Sequence, residues 1–140
     1  MKTIVATLTA ALTATAAFAL AVPAAAQSDR EIERSERAFS DLVEGWEVAG
    51  EPESCITTFN SNRLRVVEHV GFAYRQGDTM WVARARNPQN LGAWDVPIID
   101  RFGSQLCRHD SMRTVDRSSG MFSGNLFLDD FVPYRRVDAG

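Results

Sequence analysis

Cys55 and Cys107 are the only two cysteines in the 140-residue chain, so at most one disulfide can form within it. Such a bond would close a loop of about 52 residues, which contributes about 4 kcal/mol in the chain-entropy model. That is a large share of the free energy of unfolding of a small domain. Whether the bond forms depends on the redox compartment, and the N-terminus of the chain carries a prediction about that compartment.

Residues 1–26 have the pattern of an export signal. Lys2 is a short positive segment, residues 4–22 carry no charge, and three alanines at 24–26 supply a small-residue cleavage site. A membrane anchor is the alternative, but four threonines lower the hydrophobicity of the apolar stretch. We therefore predict a cleaved signal peptide, a periplasmic or secreted protein without stable membrane insertion, and a Cys55–Cys107 disulfide.

The predicted mature chain, residues 27–140, has a length typical of a single domain with a modest core. Its 18 acidic residues and 14 arginines, with no lysine, give a net charge of −4. The charge is uneven, since residues 27–53 have a net charge of −6 and residues 54–140 of +2. We expect the acidic arm to dock on the basic body. The compartment and the net charge both argue against a nucleic-acid partner.

The acidic arm predicts an amphipathic helix over about residues 29–44. Ser28 and Glu31 have the spacing of a capping box, and Gly45 or Gly50 can end the helix. The apolar stripe consists of Ile32, Phe39, Leu42, Val43 and Trp46. We expect this stripe to pack against the body, and the alternative is a helix that binds a partner.

From about residue 55 to residue 137 the pattern changes to short β-strands. Alternation and turn residues predict a three-stranded meander over residues 63–66, 71–75 and 79–84. The other predicted strands are residues 96–99, an edge strand because of Pro97, and residues 111–116, 125–128 and 131–137. The chain thus predicts a mainly β domain, a small antiparallel meander or barrel-like fold with an N-terminal helix. Its predicted core consists of Phe39, Leu42, Trp46, Leu64, Val66, Phe72, Tyr74, Val82, Leu106, Phe127 and Phe131.

The segment at residues 105–110, predicted to be a turn, contains the residue types of a hydrolase centre. Cys107, His109 and Asp110 are a nucleophile, a base and an orienting carboxylate by type. Their spacing argues against this use, because such groups usually come from distant segments to reach hydrogen-bond distance. A structural disulfide is the favoured interpretation of Cys107, and a reactive thiol is the alternative.

Three short motifs span most of the predicted mature chain. Residues 50–56 are G-E-P-E-S-C-I, residues 105–110 are Q-L-C-R-H-D and residues 131–134 are F-V-P-Y. In this order and spacing they resemble the patterns G-x-P-x-x-C-I, L-C-x-G-D and F-x-P-Y of a family of small exported proteobacterial proteins of unknown function. The resemblance implies export and a compact cysteine-bridged domain, and it implies no activity, cofactor or catalytic residue.

The chain departs from that family's pattern at two points. Family members often have four cysteines, and those expected near Pro88 and Leu126 are absent here. Joint loss of two cysteines that pair with each other agrees with a bond between the remaining two. His109 stands where the family has glycine, and a turn that needs a positive φ tolerates histidine less well.

Other candidate sites lack a recognised spacing. The candidate metal ligands are His69, His109, Asp110, Asp129 and Asp130, and no H-x-x-x-H or C-x-x-C pattern joins them. Paired carboxylates that include Glu68 would need a separation that a sequence does not show. We therefore predict no metal, no cofactor and no catalytic residue.

Five arginines of the predicted meander are candidates for binding an anion: Arg63, Arg65, Arg75, Arg84 and Arg86. Arg63 and Arg65 share one strand face, as do Arg84 and Arg86, so the set could form a stripe across the sheet. Guanidinium groups suit bidentate contacts with phosphate or carboxylate. The alternative is a solvated face that the acidic helix partly neutralises.

The favoured functional interpretation is a non-catalytic structural or interaction protein of the bacterial cell envelope, with an unknown partner. The first alternative is a periplasmic module that binds an acidic glycan or lipid head group through the arginine-rich face. Salt-sensitive retention on an anionic resin, weakened by Arg→Ala changes at 63, 65 and 84, would support that module. The second alternative is a small hydrolase that uses Cys107, His109 and Asp110.

Overall fold

The computed structural model describes residues 24–58, 64–101 and 103–137. One helix, α1, spans Ala24–Leu42. The strands are β1 Trp46–Val48, β2 Cys55–Thr57, β3 Leu64–Val67, β4 Gly71–Gln76, β5 Thr79–Arg84, β6 Asp95–Asp100, β7 Gln105–Cys107, β8 Ser111–Asp116, β9 Phe122–Asn125 and β10 Val132–Arg136. A short 3₁₀ helix spans Pro88–Asn90. The mainly antiparallel β fold with one N-terminal helix confirms the predicted fold class.

The helix begins earlier and ends earlier than the sequence predicted. It starts at Ala24 rather than near residue 29, so Ser28 lies inside it and the predicted capping box is wrong. Residues 1–23 of the predicted signal peptide lie outside the described residues. Within the part of the chain that the structure describes, no helix is long and apolar enough to cross a membrane.

The chain leaves the helix through a turn that Gly45 makes possible. Gly45 has a φ of +74°, a conformation that costs glycine little and other residues more. The Trp46 N–H then donates to the Val43 carbonyl at 2.9 Å, and Trp46 opens β1. Its predicted place on the helix stripe is wrong, because the helix ends four residues before it.

The largest sheet has five strands in the order β1-β10-β5-β4-β3, and every neighbouring pair is antiparallel. It contains the predicted meander as β3, β4 and β5. At Gly71 of β4, a Cβ would come within 2.1 Å of the Ala83 carbonyl oxygen of β5, so only glycine fits at this position. One face is covered by Ala38, Phe39 and Leu42 of helix α1 and by Val43 just after it, which pack against Val70, Ala73, Met80, Val82 and Tyr134.

The other face of this sheet packs against two smaller sheets, β2-β7 and β6-β8-β9. The main core lies between them and contains Ile56, Phe72, Tyr74, Leu106, Met112, Leu126, Leu128 and Phe131. The predicted strand at residues 111–116 is confirmed as β8, and the predicted edge strand around Pro97 is confirmed as β6. The described strands form three open sheets and do not close into a barrel. β1 and β3 are the edge strands of the large sheet.

One predicted strand and one predicted core residue are wrong. β9 ends at Asn125 instead of running from 125 to 128, and Phe127 is 59% exposed. Leu126 and Leu128 are each 2% exposed, so alternation places Phe127 on the opposite side, toward solvent. Leu128 forms an isolated bridge with Ala85, which fixes this register.

The predicted disulfide is confirmed. Cys55 and Cys107 lie directly opposite each other on β2 and β7, and their sulfurs are bonded. The bond joins the segment that follows β1 to the start of the 107–110 turn. It cross-links the small two-stranded sheet, whose Ile56 and Leu106 are buried in the main core.

Candidate functional site

The turn at residues 107–110 is held by its own hydrogen bonds. Asp110 Oδ2 accepts a hydrogen bond from the Cys107 N–H at 2.8 Å, and His109 Nε2 accepts one from Arg108 Nε at 3.1 Å. The Cys107 sulfur is bonded to Cys55 and is not a thiolate. Cys107, His109 and Asp110 are thus close in space, but in this state they have no free nucleophile.

His109 does not have the positive φ that would disfavour a histidine in this turn. Among the described residues other than glycine, only His69 has a positive φ, at +59°. It lies in the turn between β3 and β4, where its Nε2 is 3.5 Å from Glu68 Oε1. Histidine at position 109 is therefore compatible with the backbone of this turn.

The candidate metal ligands are dispersed. Asp129 accepts a hydrogen bond from Arg86 Nε at 2.9 Å, whereas Asp130 accepts one from Arg108 at 2.9 Å. Over residues 24–58, 64–101 and 103–137, no three histidine, cysteine or acidic side chains come together in a way that could hold a metal ion.

The predicted arginine stripe follows the face of the large sheet that α1 covers. Strand register places Arg65 opposite Ala73, Arg75 opposite Met80 and Arg84 opposite Gly71, so the three arginines share that face. Arg75 and Arg84 lie at opposite ends of it, because Arg75 is opposite Met80, which lies four positions before Arg84 on β5. Arg63 lies outside the described residues.

At one end of this face the arginines have carboxylate partners. Arg84 forms an ion pair with Glu36 of α1, and its guanidinium carbon lies 4.6 Å from the centre of the Phe39 ring. Arg86 forms an ion pair with Asp129 at 2.9 Å. At this end the acidic helix neutralises the sheet, as one of the two sequence interpretations expects.

At the other end the arginines surround Trp46. The guanidinium carbons of Arg75 and Arg136 lie 4.9 Å and 5.4 Å from the centre of the indole ring. Arg136 is the cross-strand partner of Trp46 in the β1–β10 pair. Such cation–π contacts fix the orientation of both the ring and the guanidinium groups.

Two adjacent depressions meet at Trp46. One, of about 530 Å³, is lined by Leu42, Trp46, Arg65, Ala73, Arg75, Gly77 and Met80. The other, of about 780 Å³, is lined by Trp46, Arg75, Gly77, Asp78, Thr79, Arg135 and Arg136. We refer to Trp46 with Arg65, Arg75, Arg135 and Arg136 as the Trp46–arginine site.

The charge of this site is unbalanced. Four arginines and one carboxylate, Asp78, line the two depressions. Within the described residues, none of the four arginines forms an ion pair with a carboxylate. The nearby C-terminus of α1 carries about half a negative charge, and Glu47 lies opposite Arg135 on β1, so together they offset part of this excess. The site is therefore electropositive on a protein whose overall charge is negative.

Comparisons with protein-family models, with curated proteins and with solved structures gave no match. The resemblance to an exported family therefore stays a prediction.

Sequence reasoning found part of the site and missed the rest. Arg65 and Arg75 belonged to the predicted stripe, but Trp46 was assigned to the helix, and Arg135 and Arg136 were not singled out. The adjacent arginines at the end of the last strand were the available signal. What the sequence did not reveal is that β10 pairs with β1, which is the contact that brings Arg136 over Trp46.

Proposed function

We propose that the protein is a small, exported, non-catalytic domain that binds an anionic ligand of the bacterial envelope at the Trp46–arginine site. The observation that carries the proposal is the gathering of four arginines with one carboxylate beside two open depressions. Exposed arginines without carboxylate partners keep their hydrogen-bond donors available to phosphate, sulfate or carboxylate groups. Cation–π contacts with Trp46 hold two of these guanidinium groups in place before a ligand arrives.

Different observations support export and the lack of a catalytic role. The charge-free stretch and small-residue site in residues 1–26 support export, and the disulfide agrees with an oxidising compartment. The bonded state of Cys107 takes away the nucleophile of the hydrolase alternative. N-terminal sequencing of protein from a bacterial periplasm should begin at Gln27, and a start at Met1 would contradict export.

The binding test compares two double variants with the same change in net charge. Arg75→Gln with Arg136→Gln removes charge at the site, and Arg113→Gln with Arg117→Gln removes it from the three-stranded sheet and the turn that follows β8. The measurement is calorimetric titration with inorganic pyrophosphate at low and high salt. We expect at least about tenfold weaker binding for the site variant, since each exposed charge-assisted contact contributes about 1 kcal/mol. We expect little change for the control variant.

Salt should weaken the binding of the wild-type protein, because exposed charges are screened at higher ionic strength. Equal affinities for the two double variants would show that the response is to net charge and that no defined site exists. Absence of pyrophosphate binding to the wild-type protein at low salt would overturn the proposal.

A further inference from the structure

The two depressions that meet at Trp46 differ in chemistry. Leu42, Ala73 and Met80 line the first beside the indole ring, and its charged groups are Arg65 and Arg75. Charged and polar side chains dominate the second, and they include Arg135 and Arg136. Trp46, Arg75 and Gly77 are common to both, so one molecule could contact an apolar surface and an arginine cluster at once.

From this arrangement we infer that the ligand is a single anionic amphiphile, with its head group at Arg75, Arg135 and Arg136 and its alkyl segment against Leu42, Ala73 and Met80. This inference rests on the proposed function and names the chemical class of its ligand. An alkyl segment would displace water from the apolar depression, a gain that a bare anion cannot make. The arginine stems also present methylene groups to such a chain while their charged ends face the head group.

The state of the Trp46 ring favours an amphiphile over an acidic glycan. Sugars commonly contact proteins by stacking on an open aromatic face, which needs a ring without other partners. Two guanidinium groups already lie over the Trp46 ring, at 4.9 Å and 5.4 Å from its centre. A sugar that stacks on this ring would compete with these guanidinium groups, whereas an alkyl segment against Leu42, Ala73 and Met80 would not need a ring face.

The wild-type protein with its disulfide intact suffices for the main test. Calorimetric titrations use inorganic phosphate and a series of alkyl phosphates from butyl to dodecyl, all below the concentration at which micelles form. We expect affinity to rise by about two- to fourfold for each methylene, up to the limit set by full burial, and then to level off because the depression is finite. Dodecyl maltoside, which has a neutral head group, should bind at least tenfold more weakly than dodecyl phosphate.

A variant pair assigns the alkyl segment to the first depression. Leu42→Asn should flatten the dependence of the affinity on alkyl chain length. Circular dichroism would show that the variant is folded. Val48→Asn, at an exposed position on β1, is the control and should leave the chain-length dependence unchanged.

The outcomes separate this inference from the proposed function. Equal affinities for inorganic phosphate and every alkyl phosphate would overturn the amphiphile and leave the anion site standing. Absence of binding by any phosphate would overturn both. Sedimentation with vesicles of anionic phospholipid, without binding of monomeric alkyl phosphate, would overturn the single-molecule ligand in favour of a membrane surface.

Discussion

The two ends of the helix-covered face contain the same residue type in different states. At the paired end, Arg84 contacts Glu36 and lies over Phe39. At the open end, the Trp46–arginine site has four arginines and one lining carboxylate. Arginine over an aromatic ring is thus common to both ends, and the carboxylate partner is what distinguishes them. An arginine whose charge is already matched stabilises the fold, whereas unmatched arginines are available to a ligand.

The largest effect on stability should come from the paired end. Phe39→Ala removes a half-buried ring that packs edge-on against Tyr134, with ring centres 6.5 Å apart, and supports Arg84. We expect a loss of about 2–3 kcal/mol in the free energy of unfolding, at the low end for phenylalanine because the ring is only partly buried. Urea denaturation measures this loss, and Phe122→Ala at an exposed position should cost less than about 0.5 kcal/mol. Equal losses would mean that α1 is not held by this contact.

A carboxylate placed at the open end should make it behave like the paired end. Thr79 lies opposite Arg135 on the neighbouring strand, so Thr79→Glu would create a cross-strand ion pair. We expect pyrophosphate affinity to fall about tenfold and stability to rise by about 0.5 kcal/mol. Thr79→Gln is the matched control, since it has the same shape without the charge. If Thr79→Glu and Thr79→Gln bind pyrophosphate with equal affinity, the unpaired arginine charge is not what binds the anion.

Removing the carboxylate at the paired end should have a smaller effect on the free energy of unfolding. Glu36→Gln removes the carboxylate partner of Arg84, whose side chain is 36% exposed. A pair this exposed contributes about 0.2–1 kcal/mol, so we expect a loss within that range. A double-mutant cycle with Arg84→Gln measures the coupling. A coupling of several kcal/mol would place the pair among buried ion pairs and weaken the contrast between the two ends.

The smallest effect concerns a carboxylate that has hydroxyl and amide donors instead of an arginine. Hydrogen bonds from the side chain of Ser118 and the backbone and side chain of Ser119 lower the pKa of Asp116 from 3.8 to about 2. Because the folded-state pKa lies below the unfolded one, the stabilisation is complete above about pH 4 and is lost as the pH falls toward 2. Carbon NMR titration of the carboxyl group measures this, and Ser118→Ala should raise the pKa. An unchanged pKa in that variant would assign the effect to Ser119 and the Ser118 backbone N–H.

The local part of the fold could be predicted from the sequence, and the pairing between distant segments could not. Alternation and turn residues located β4, β5 and β8 to within one residue, because those signals come from neighbours in the chain. Phe127 was misplaced because residues 126–128 are all apolar, so the sequence there does not show which side faces the core, and the bridge between Leu128 and Ala85 decides it.

The candidate site shows the same division. Arginine composition pointed to an anion, and strand periodicity grouped Arg63 with Arg65 and Arg84 with Arg86. The structure shows that Arg65 and Arg75 share one face. The sequence did not distinguish Arg84 from Arg75, because the partner of Arg84 comes from α1, 48 residues earlier. Trp46 became part of the site only through the pairing of β1 with β10, a contact between opposite ends of the described chain.

The position of β10 inside the five-stranded sheet has a consequence for the order of synthesis. β10 lies between β1 and β5, so β1 emerges early and has no strand to pair with until residues 132–136 have left the ribosome. Pairing between segments so distant in sequence slows folding, because long loops must close before the stabilising contacts form. For the exported protein that we propose, the late arrival of this strand would leave the large sheet incomplete until the end of synthesis.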